Sequence, residues 1–245
     1  MHAVFRRALH RVKDAVGLPV DFSHEEFLRA KRNLDWTAID RRRVETLASV
    51  FSRPQHEIRT YVEEAERIEV DKRPTDAGKD WLGVGNPMGR TDRLTLYATV
   101  RAFVPHLVVE TGTGAGAASV YILAAMRENG NGRLVSIDAT SEPENVARLV
   151  PDSLRSRMQL VTGHSLDVLP RLNLEGLDFF LHDSEHSYQN MLAEYEFAFR
   201  HFRDRGVLCS HDVLMTNAWK HIVNRRRIKR STVIKNFGVL AYEGS

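Results

Sequence analysis

The spacing of apolar and polar residues divides the chain into two regions. In residues 1–72 apolar positions recur every three or four residues, which is the period of amphipathic helices, and no convincing strand is present. From Arg93 onward short apolar runs alternate with helical patterns, as in a parallel sheet covered by helices on both faces. The sequence therefore predicts a helical extension with a lid loop at 1–92 and an α/β domain at 93–245.

Within the α/β region the apolar runs define a regular order of elements. The predicted strands are 107–110, 133–138, 158–162, 177–182 and 206–210, and the predicted helices are 115–129, 142–150, 165–172 and 187–202. A last segment of helix and strand completes the chain. This order predicts a Rossmann-like, doubly wound sheet.

The N-terminal region carries two features with functional meaning. The first eighteen residues form an amphipathic pattern with arginines opposite the apolar positions, which predicts packing on this protein or on a twin subunit, with a membrane surface as the alternative. Helices are also predicted at 40–51 and 55–69. Residues 73–92 form a Gly/Pro-punctuated loop whose Trp81 and Met88 could cover a ligand.

A glycine-rich turn follows the first strand, in the stretch ETGTGAGAAS. Ligands of doubly wound sheets bind beyond the carboxyl ends of the strands, and glycines let the backbone approach a ligand closely. Asp138 ends the second strand, where a carboxylate would accept hydrogen bonds from ribose hydroxyls. A dinucleotide such as NAD and S-adenosylmethionine both satisfy these features.

Glu110 favours S-adenosylmethionine over the dinucleotide. A carboxylate aimed into this pocket would sit badly beside a pyrophosphate, whereas it suits the sulfonium and ammonium groups of S-adenosylmethionine. Further along, 163–165 could line an adenine ring. The predicted cofactor site comprises Glu110, Gly112, Thr113, Gly114, Gly116, Ser119, Asp138, Gly163, His164, Ser165 and Asp183.

A second group of polar residues follows the fourth and fifth strands. LDFFLHDSEHSY places Asp183 and His186 after one strand, and GVLCSHDV places His211 and Asp212 after the next. Two carboxylates from neighbouring strands can hold Mg²⁺, and a histidine ligand would shift the preference toward Mn²⁺. The alternative is that these residues only cap helices or line loops. The predicted metal site is Asp183, His211 and Asp212.

The motifs ETGTGAGAAS, LVSIDA, HDSEHSY and GVLCSHDV together resemble class I S-adenosylmethionine-dependent methyltransferases, in particular a bacterial branch of natural-product O-methyltransferases. The resemblance covers about residues 90–215. It implies a seven-stranded sheet with an antiparallel last strand and a metal held by Asp183, Asp212 and the position of His211, where an acidic residue is usual in the closer relatives.

His186 is the predicted general base, acting beside Asp183. It follows Asp183 by three residues, at an offset where catechol-type enzymes, which this motif resembles, have a lysine base. Histidine titrates near neutrality, where a general base works best. The alternative is that His186 only orients the loop.

Composition narrows the function further. The chain is 42% hydrophobic and 27% charged, has no apolar run that could span a membrane, and contains one cysteine, which together suit a cytoplasmic protein. A net charge of +3 does not by itself imply nucleic acid, and the basic run NRRRIKR reads as a solvated helix face or as a contact for an acidic substrate or RNA. The sequence thus predicts an O-methyltransferase acting on a small-molecule hydroxyl, homo-oligomeric through its N-terminal helices, with an RNA methyltransferase and an NAD-binding oxidoreductase as alternatives.

Overall fold

The protein was analysed as a computed structural model that describes residues 36–69, 88–140 and 145–244, with the side chains of 36–40 left out. The predicted amphipathic helix of the first eighteen residues, and with it the predicted subunit contact, lies outside these ranges. So do Trp81 with most of the predicted lid loop, and the start of the predicted helix at 142–150. None of the described helices is long and apolar enough to cross a membrane.

The described ranges contain eight α-helices and seven strands. The helices are α1 (Trp36–Phe51), α2 (Gln55–Glu66), α3 (Arg90–Phe103), α4 (Ala117–Asn129), α5 (Asp152–Arg155), α6 (Ser165–Val168), α7 (Tyr188–His201) and α8 (Ala218–Arg225). The strands are β1 (Leu107–Thr111), β2 (Arg133–Asp138), β3 (Met158–Thr162), β4 (Phe179–His182), β5 (Arg205–Ser210), β6 (Arg230–Ile234) and β7 (Phe237–Glu243).

The seven strands form one sheet in the order β3-β2-β1-β4-β5-β7-β6. The first five strands of this order are parallel, whereas β7 runs antiparallel to both of its neighbours. The predicted seven-stranded, doubly wound sheet with an antiparallel last strand is therefore confirmed. Because β2 and β4 flank β1, the strand order reverses at β1, which is the position where such sheets bind ligands.

Apolar side chains cover both faces of the sheet. Successive residues of β1 point to opposite faces, so Val108 packs in the layer that contains α3 and α4, and Val109 packs in the layer that contains α7 and α8. Helix α4 is buried along most of its length, and its alanines allow this close packing. It ends at Gly130, which adopts the left-handed conformation expected of a glycine at a helix C-terminus.

The described part of the N-terminal extension packs on the α/β domain through α3. Arg43 of α1 donates a hydrogen bond to Thr95 at 3.0 Å, and Glu64 of α2 accepts hydrogen bonds from Arg101 at 2.8 Å and Tyr97 at 3.0 Å. Helix α3 itself was not predicted. It begins at Arg90 inside the predicted loop and runs across position 92/93, where the sequence places its domain boundary.

Two helix predictions were wrong in their extent. Residues 145–150 form turns instead of a helix, because backbone amides of this segment donate to the glycine turn: Ala147 N to Gly114 O at 2.9 Å and Leu149 N to Ala115 O at 3.0 Å. The helix predicted at 165–172 ends after one turn at Val168 and continues as the 3₁₀ turn Leu169–Arg171. Pro170 lies in that turn and has no amide hydrogen to extend an α-helix.

Candidate functional site

The carboxyl ends of the central strands bring the predicted site residues to one edge of the sheet. Thr111 at the end of β1 pairs with His182 at the end of β4, so the residues that follow these strands are neighbours. The ladder continues beyond the strands, since Asp183 N donates to Thr111 O at 2.9 Å and His211 N donates to His182 O at 2.9 Å. Gly112, Asp183 and His211 therefore lie side by side.

A cavity of about 670 Å³ opens beyond this edge. Its lining includes most of the predicted site residues: Gly112, Thr113, Gly114, Asp138, Gly163, His164, Ser165, Asp183, His186, His211 and Asp212. The lining that sequence reasoning did not name comprises Ala115, Ala117, Ala118, Ile137, Ala139, Leu166, Ser184, Glu185 and Asn190. Met88 of the predicted lid loop also lines the cavity and is buried.

The glycine turn forms one wall of the cavity, and Gly112 lets this wall pack closely against the end of β4. Gly112 has φ +84°, and a Cβ at this position would lie 2.0 Å from the carbonyl oxygen of Asp183. Any side chain would therefore push β1 and β4 apart at the mouth of the site. Gly116, with φ +89°, precedes α4 and packs against the backbone of Ala147, so it supports the turn from behind and does not line the cavity.

The carboxylate of Asp138 is tied to the same turn. Its Oδ2 accepts a hydrogen bond from Gly114 N at 2.7 Å, and its Oδ1 accepts one from Thr140 N at 2.8 Å. A carboxylate oxygen can accept more than one hydrogen bond, so both oxygens keep acceptor capacity toward the cavity. Asp138 thus holds the glycine turn in place and can still accept hydrogen bonds from a ligand in the cavity.

The sequence predicts that Glu110 points into the cavity, but in the structure it does not. It is fully buried behind the glycine turn, and its Oε2 accepts hydrogen bonds from Ser119 at 2.6 Å and Ser136 at 2.5 Å. Neither Glu110 nor Ser119 lines the cavity, because this side of β1 faces α4 and β2. Burial raises the pKa of Glu110 to about 8, and its Oε1 has no hydrogen-bond partner within the described part of the chain.

The loop after β3 forms the opposite wall of the cavity. Gly163 has φ +144°, and its amide donates to Asp138 O at 2.8 Å, which joins this loop to the end of β2. His164 is exposed, whereas the hydroxyl of Ser165 donates a hydrogen bond to Glu194. Leu166 is 43% exposed and contributes apolar surface to this wall of the cavity.

A cluster of carboxylates and imidazoles forms part of the cavity lining. His211 Nδ1 lies 2.9 Å from Asp183 Oδ1, and His186 Nε2 lies 3.9 Å from the same oxygen. One ligand atom from each of Asp183, His186 and His211 falls within 4.8 Å of the others. Asp212 Oδ2 lies 3.5 Å from His186 Nε2. The structure thus groups His186 with two of the three predicted ligands, and Asp212 stands beside this trio.

Asp212 is held in place by the turn between β6 and β7. Its backbone adopts the left-handed conformation with φ +54°, which is uncommon for a residue other than glycine. Asn236 donates a side-chain hydrogen bond to the Asp212 carboxylate and accepts one from Leu214 N at 3.1 Å. The C-terminal hairpin therefore fixes both the backbone and the side chain that follow β5.

Asp92 is a further member of the cluster that sequence reasoning missed. It lies in the first turn of α3, is 3% exposed, and places Oδ2 3.6 Å from His211 Nε2. Burial alone would lower the pKa of His211, but the adjacent carboxylates of Asp183 and Asp92 outweigh this effect and raise it to about 11. The surrounding carboxylates therefore favour the protonated ring in the metal-free protein, and a metal ion would have to displace that proton to use His211 as a ligand. The sequence signal for Asp92 would have been an acidic residue in the first turn of a helix, but α3 was not predicted.

Comparisons with known proteins agree with this arrangement. Residues 109–213 match the model of a methyltransferase domain. A "Putative O-methyltransferase" of Mycobacteroides abscessus is 38% identical over 80 residues, a match that covers 31% of this chain and 36% of that protein. The chain thus spans about a third of the length of the curated relatives it matches.

Solved structures share the fold over a longer range. A methyltransferase from Geobacter sulfurreducens is 28% identical, with a TM-score of 0.53, and the match covers 65% of this chain and 80% of that one. The O-methyltransferase TomG from Streptomyces achromogenes, involved in tomaymycin synthesis and solved in complex with S-adenosylmethionine, has a TM-score of 0.54 at 19% identity, over 65% of this chain and 82% of that one. Residues 109–213 are thus similar to a methyltransferase domain, and the chain shares the fold of these solved methyltransferases.

Proposed function

We propose that this protein is an S-adenosylmethionine-dependent O-methyltransferase that methylates a hydroxyl group of a small molecule, such as a natural product or a sugar. The observation that carries the proposal is the adjacency of Gly112 and Asp183. The glycine turn lines the cavity with Gly112, Thr113 and Gly114, and the cluster around Asp183 starts at the next strand end. A cofactor in the cradle formed by this turn would therefore present its reactive end to the cluster.

The residues around the cradle fit S-adenosylmethionine. Asp138 has free acceptor capacity for ribose hydroxyls, the turn from Gly112 to Gly114 leaves room for a close approach, and Leu166 offers an apolar surface to an adenine ring. When bound, this cofactor supplies an electrophilic methyl group on a sulfonium. Glu110 is buried behind the turn, and its Oε1 has no hydrogen-bond partner among the described residues. The backbone of the turn would separate this carboxyl group from the amino-acid tail of the cofactor.

The cluster at the end of β4 and β5 fits a divalent metal. Its donors are one carboxylate, two imidazoles and the nearby carboxylate of Asp212, and this set suits Mn²⁺ or another first-row transition metal better than Mg²⁺. A bound metal would act as a Lewis acid that makes a hydroxyl more acidic. Asp183, His186 and His211 would hold it, with Asp212 as a further candidate.

The protein's own groups then have separate tasks in methyl transfer. The acceptor oxygen must lie in line behind the methyl group, so catalysis depends mainly on positioning. The hydroxyl also loses a proton as the methyl group arrives. His186 lines the cavity, and its Nε2 is the proposed acceptor of this proton when no metal is bound to that atom. Burial keeps the pKa of His186 below its usual range, so its ring is neutral and able to accept a proton at neutral pH.

The basic run at 224–230 supports a small molecule over RNA as the substrate. Arg225 and Arg226 both pair with Glu196, and Arg230 pairs with Glu243. Three of the five basic side chains in the run therefore pair with acidic groups on the same surface. A phosphate-binding face would leave such arginines available for the nucleic acid.

Incubation of the purified protein with isotopically labelled S-adenosylmethionine and a panel of hydroxylated metabolites tests this function. Mass spectrometry should find the label on an oxygen of at least one compound, and S-adenosylhomocysteine should accumulate in step. Asp183→Asn serves as the matched inactive variant, since it changes one atom of the cluster. Transfer to nitrogen alone, or to RNA alone, would contradict the proposal.

A further inference from the structure

Glu194 is a fully buried carboxylate that the proposed chemistry does not use directly. It lies on α7 and accepts side-chain hydrogen bonds from five residues: Thr111, Ser165, His182, Ser184 and Asn190. Burial alone would raise the pKa of Glu194, but the hydrogen bonds, with that from His182 first, lower it below its usual range. The carboxylate is therefore ionised, and it is an acceptor only.

His182 connects this carboxylate to the cavity. Its ring is fully buried at the end of β4, with Nδ1 2.7 Å from Glu194 Oε2 and Nε2 3.3 Å from His186 Nδ1. The ring is also fixed sideways, because it stands edge-on to Tyr195 at a centroid distance of 5.6 Å. Glu194, His182 and His186 thus form a single hydrogen-bonded row that ends in the cavity.

The chemistry of this row determines where each proton lies. Because Glu194 can only accept, His182 must donate from Nδ1, and a neutral His182 then has an acceptor at Nε2. His186 consequently donates from Nδ1, which leaves a lone pair on Nε2. The carboxylates nearest to Nε2, Asp212 at 3.5 Å and Asp183 at 3.9 Å, form ion-pair contacts with it but no hydrogen bond that would hold a proton there. This is the form of His186 that can take a proton or bind a metal.

We propose that Glu194 and His182 are positioning residues that fix the tautomer and ring orientation of His186. The inference deepens the proposed function, because the role of Nε2 in methyl transfer rests on it, but the hydrogen-bonded row exists in the free protein. If Glu194 had a purely structural role, it would hold the ends of the strands together but would not determine the tautomer of His186.

Glu194→Gln is the sharpest variant, since it keeps the size of the side chain and reverses one hydrogen bond. The Nδ2 group of Asn190 donates on the Oε1 side, at 3.1 Å, so the glutamine oxygen is expected there and the glutamine NH₂ group would face His182. His182 would then accept at Nδ1 and donate from Nε2. His186 would accept at Nδ1 and carry its proton on Nε2, toward the cavity.

Long-range ¹H–¹⁵N correlation spectra of ¹⁵N-histidine-labelled, metal-free protein test this directly. In the unchanged protein, neutral His186 should be protonated on Nδ1, and Glu194→Gln should move the proton to Nε2. His182→Phe, which removes the link and keeps an aromatic ring, should leave His186 as a mixture of tautomers. A His186 that is protonated on Nε2 in the unchanged protein, or that is unaffected by both variants, would overturn the proposal.

Kinetics provide a second readout. Glu194→Gln and His182→Phe should lower kcat by about 10–100-fold, the usual cost of losing a group that orients an active residue, while the affinity for S-adenosylhomocysteine stays unchanged. Thr111→Val is the matched control, because it removes another hydrogen bond to the same Oε2 and leaves His182 in place. Equal losses of kcat in the control and the two variants would mean that Glu194 acts only through stability. If no substrate is methylated at all, the proposed function fails, and the spectra still decide on the tautomer.

Discussion

Glu110 Oε2 accepts a hydrogen bond from the hydroxyl of Ser136 at 2.5 Å, inside the layer between β1, β2 and α4. The hydroxyl of Ser119 donates to the same oxygen, yet the other oxygen has no partner within the described residues. Two hydroxyl donors do not fully compensate a buried charge, and burial accordingly raises the pKa of this carboxyl to about 8. The site therefore contains an acid that resists ionisation directly behind its glycine turn.

This raised pKa predicts a specific pH dependence of stability. Between the ordinary value of 4.5 and about 8, the folded protein holds a proton on Glu110 that the unfolded chain releases. The contribution of Glu110 to folding is therefore most favourable below this window and is lost as the pH rises through it, at about 1.4 kcal/mol for each unit of pKa shift. Glu110→Gln should remove this dependence.

Urea unfolding at about pH 5 and about pH 8.5 measures the effect. In the unchanged protein the free energy of unfolding should be lower at the higher of these two pH values. This decrease should exceed the decrease in Glu110→Gln by about a few kcal/mol, because the variant lacks the group with the raised pKa. Glu175→Gln is the control, since the side chain of Glu175 is exposed and forms an exposed ion pair with Arg203. Parallel pH profiles for the unchanged protein and Glu110→Gln would refute the raised pKa.

Asp138 should determine cofactor affinity. Calorimetry is expected to detect S-adenosylhomocysteine binding and no NAD binding, and Asp138→Ala should weaken the former by ~1–3 kcal/mol through loss of charged hydrogen bonds. Part of that loss would come from the glycine turn, which Asp138 holds at Gly114. Asp152→Ala, at an exposed carboxylate, should bind normally. Tight NAD binding would contradict the assignment of the cofactor.

Gly112 and Gly130 provide a matched pair for testing the cradle. Both have positive φ, so alanine costs each of them ~1–2 kcal/mol of backbone strain. A Cβ at Gly130 meets nothing within 4 Å, whereas at Gly112 it would collide with the Asp183 carbonyl. Gly130→Ala should therefore keep S-adenosylhomocysteine binding, and Gly112→Ala should lose it and unfold at lower temperature. Similar behaviour of the two variants would mean that the turn can relax.

Metal dependence should follow the donor set. Calorimetric titration of the chelator-treated protein should show tighter binding of Mn²⁺ than of Mg²⁺, because two of the donors are imidazoles. Asp183→Asn should abolish binding of both ions, and His211→Ala should reduce the preference for Mn²⁺. Activity should fall on chelation and return with either metal. Full activity in a chelated, metal-free sample would give the carboxylates another task, such as orienting His186 or His211.

His186→Ala should lower turnover by ~10²–10⁴-fold, the range for removal of a general base, with cofactor affinity little changed. His201→Ala is a suitable control, since His201 lies at the far end of α7, where it hydrogen-bonds to the backbone of Phe197 and stacks on the Phe197 ring. Turnover measured across pH 6–9 separates the roles. A variant with near-normal turnover throughout would transfer the task to His211 or to a metal-bound hydroxide.

The parallel sheet explains why much of the site was predictable. Residues that follow adjacent strands meet at one edge, so the glycine turn, Asp138, Asp183 and His211 could be assigned to one crevice from strand order alone. The direction of Glu110 was also within reach, because its place in β1 puts it on the same face as Val108, toward α4.

The other features of the site depend on contacts between residues that are far apart in the sequence, and local sequence patterns do not indicate such contacts. Asp92 reaches His211 only because α3 packs across the edge of the site, and α3 follows a stretch that reads as a loop. His182 occupies a strand position where an apolar side chain is expected, and its partner Glu194 lies one helix later. Such pairs become visible only when both elements are in place.

Asn236 has a consequence for how this domain can be cut and recombined. Sequence similarity delimits a module at 109–213, but the amide that anchors Asp212 lies beyond that module and the carboxylate of Asp92 lies before it. A chimera that transplants only the similar segment would carry the cluster at the end of β4 and β5 without these two supports. Its Asp212 would lack the contact that fixes its left-handed backbone. An exchange of segments between related proteins should therefore include the whole range from α3 through β7. The cluster at the end of β4 and β5 is then transferred together with Asp92 and Asn236.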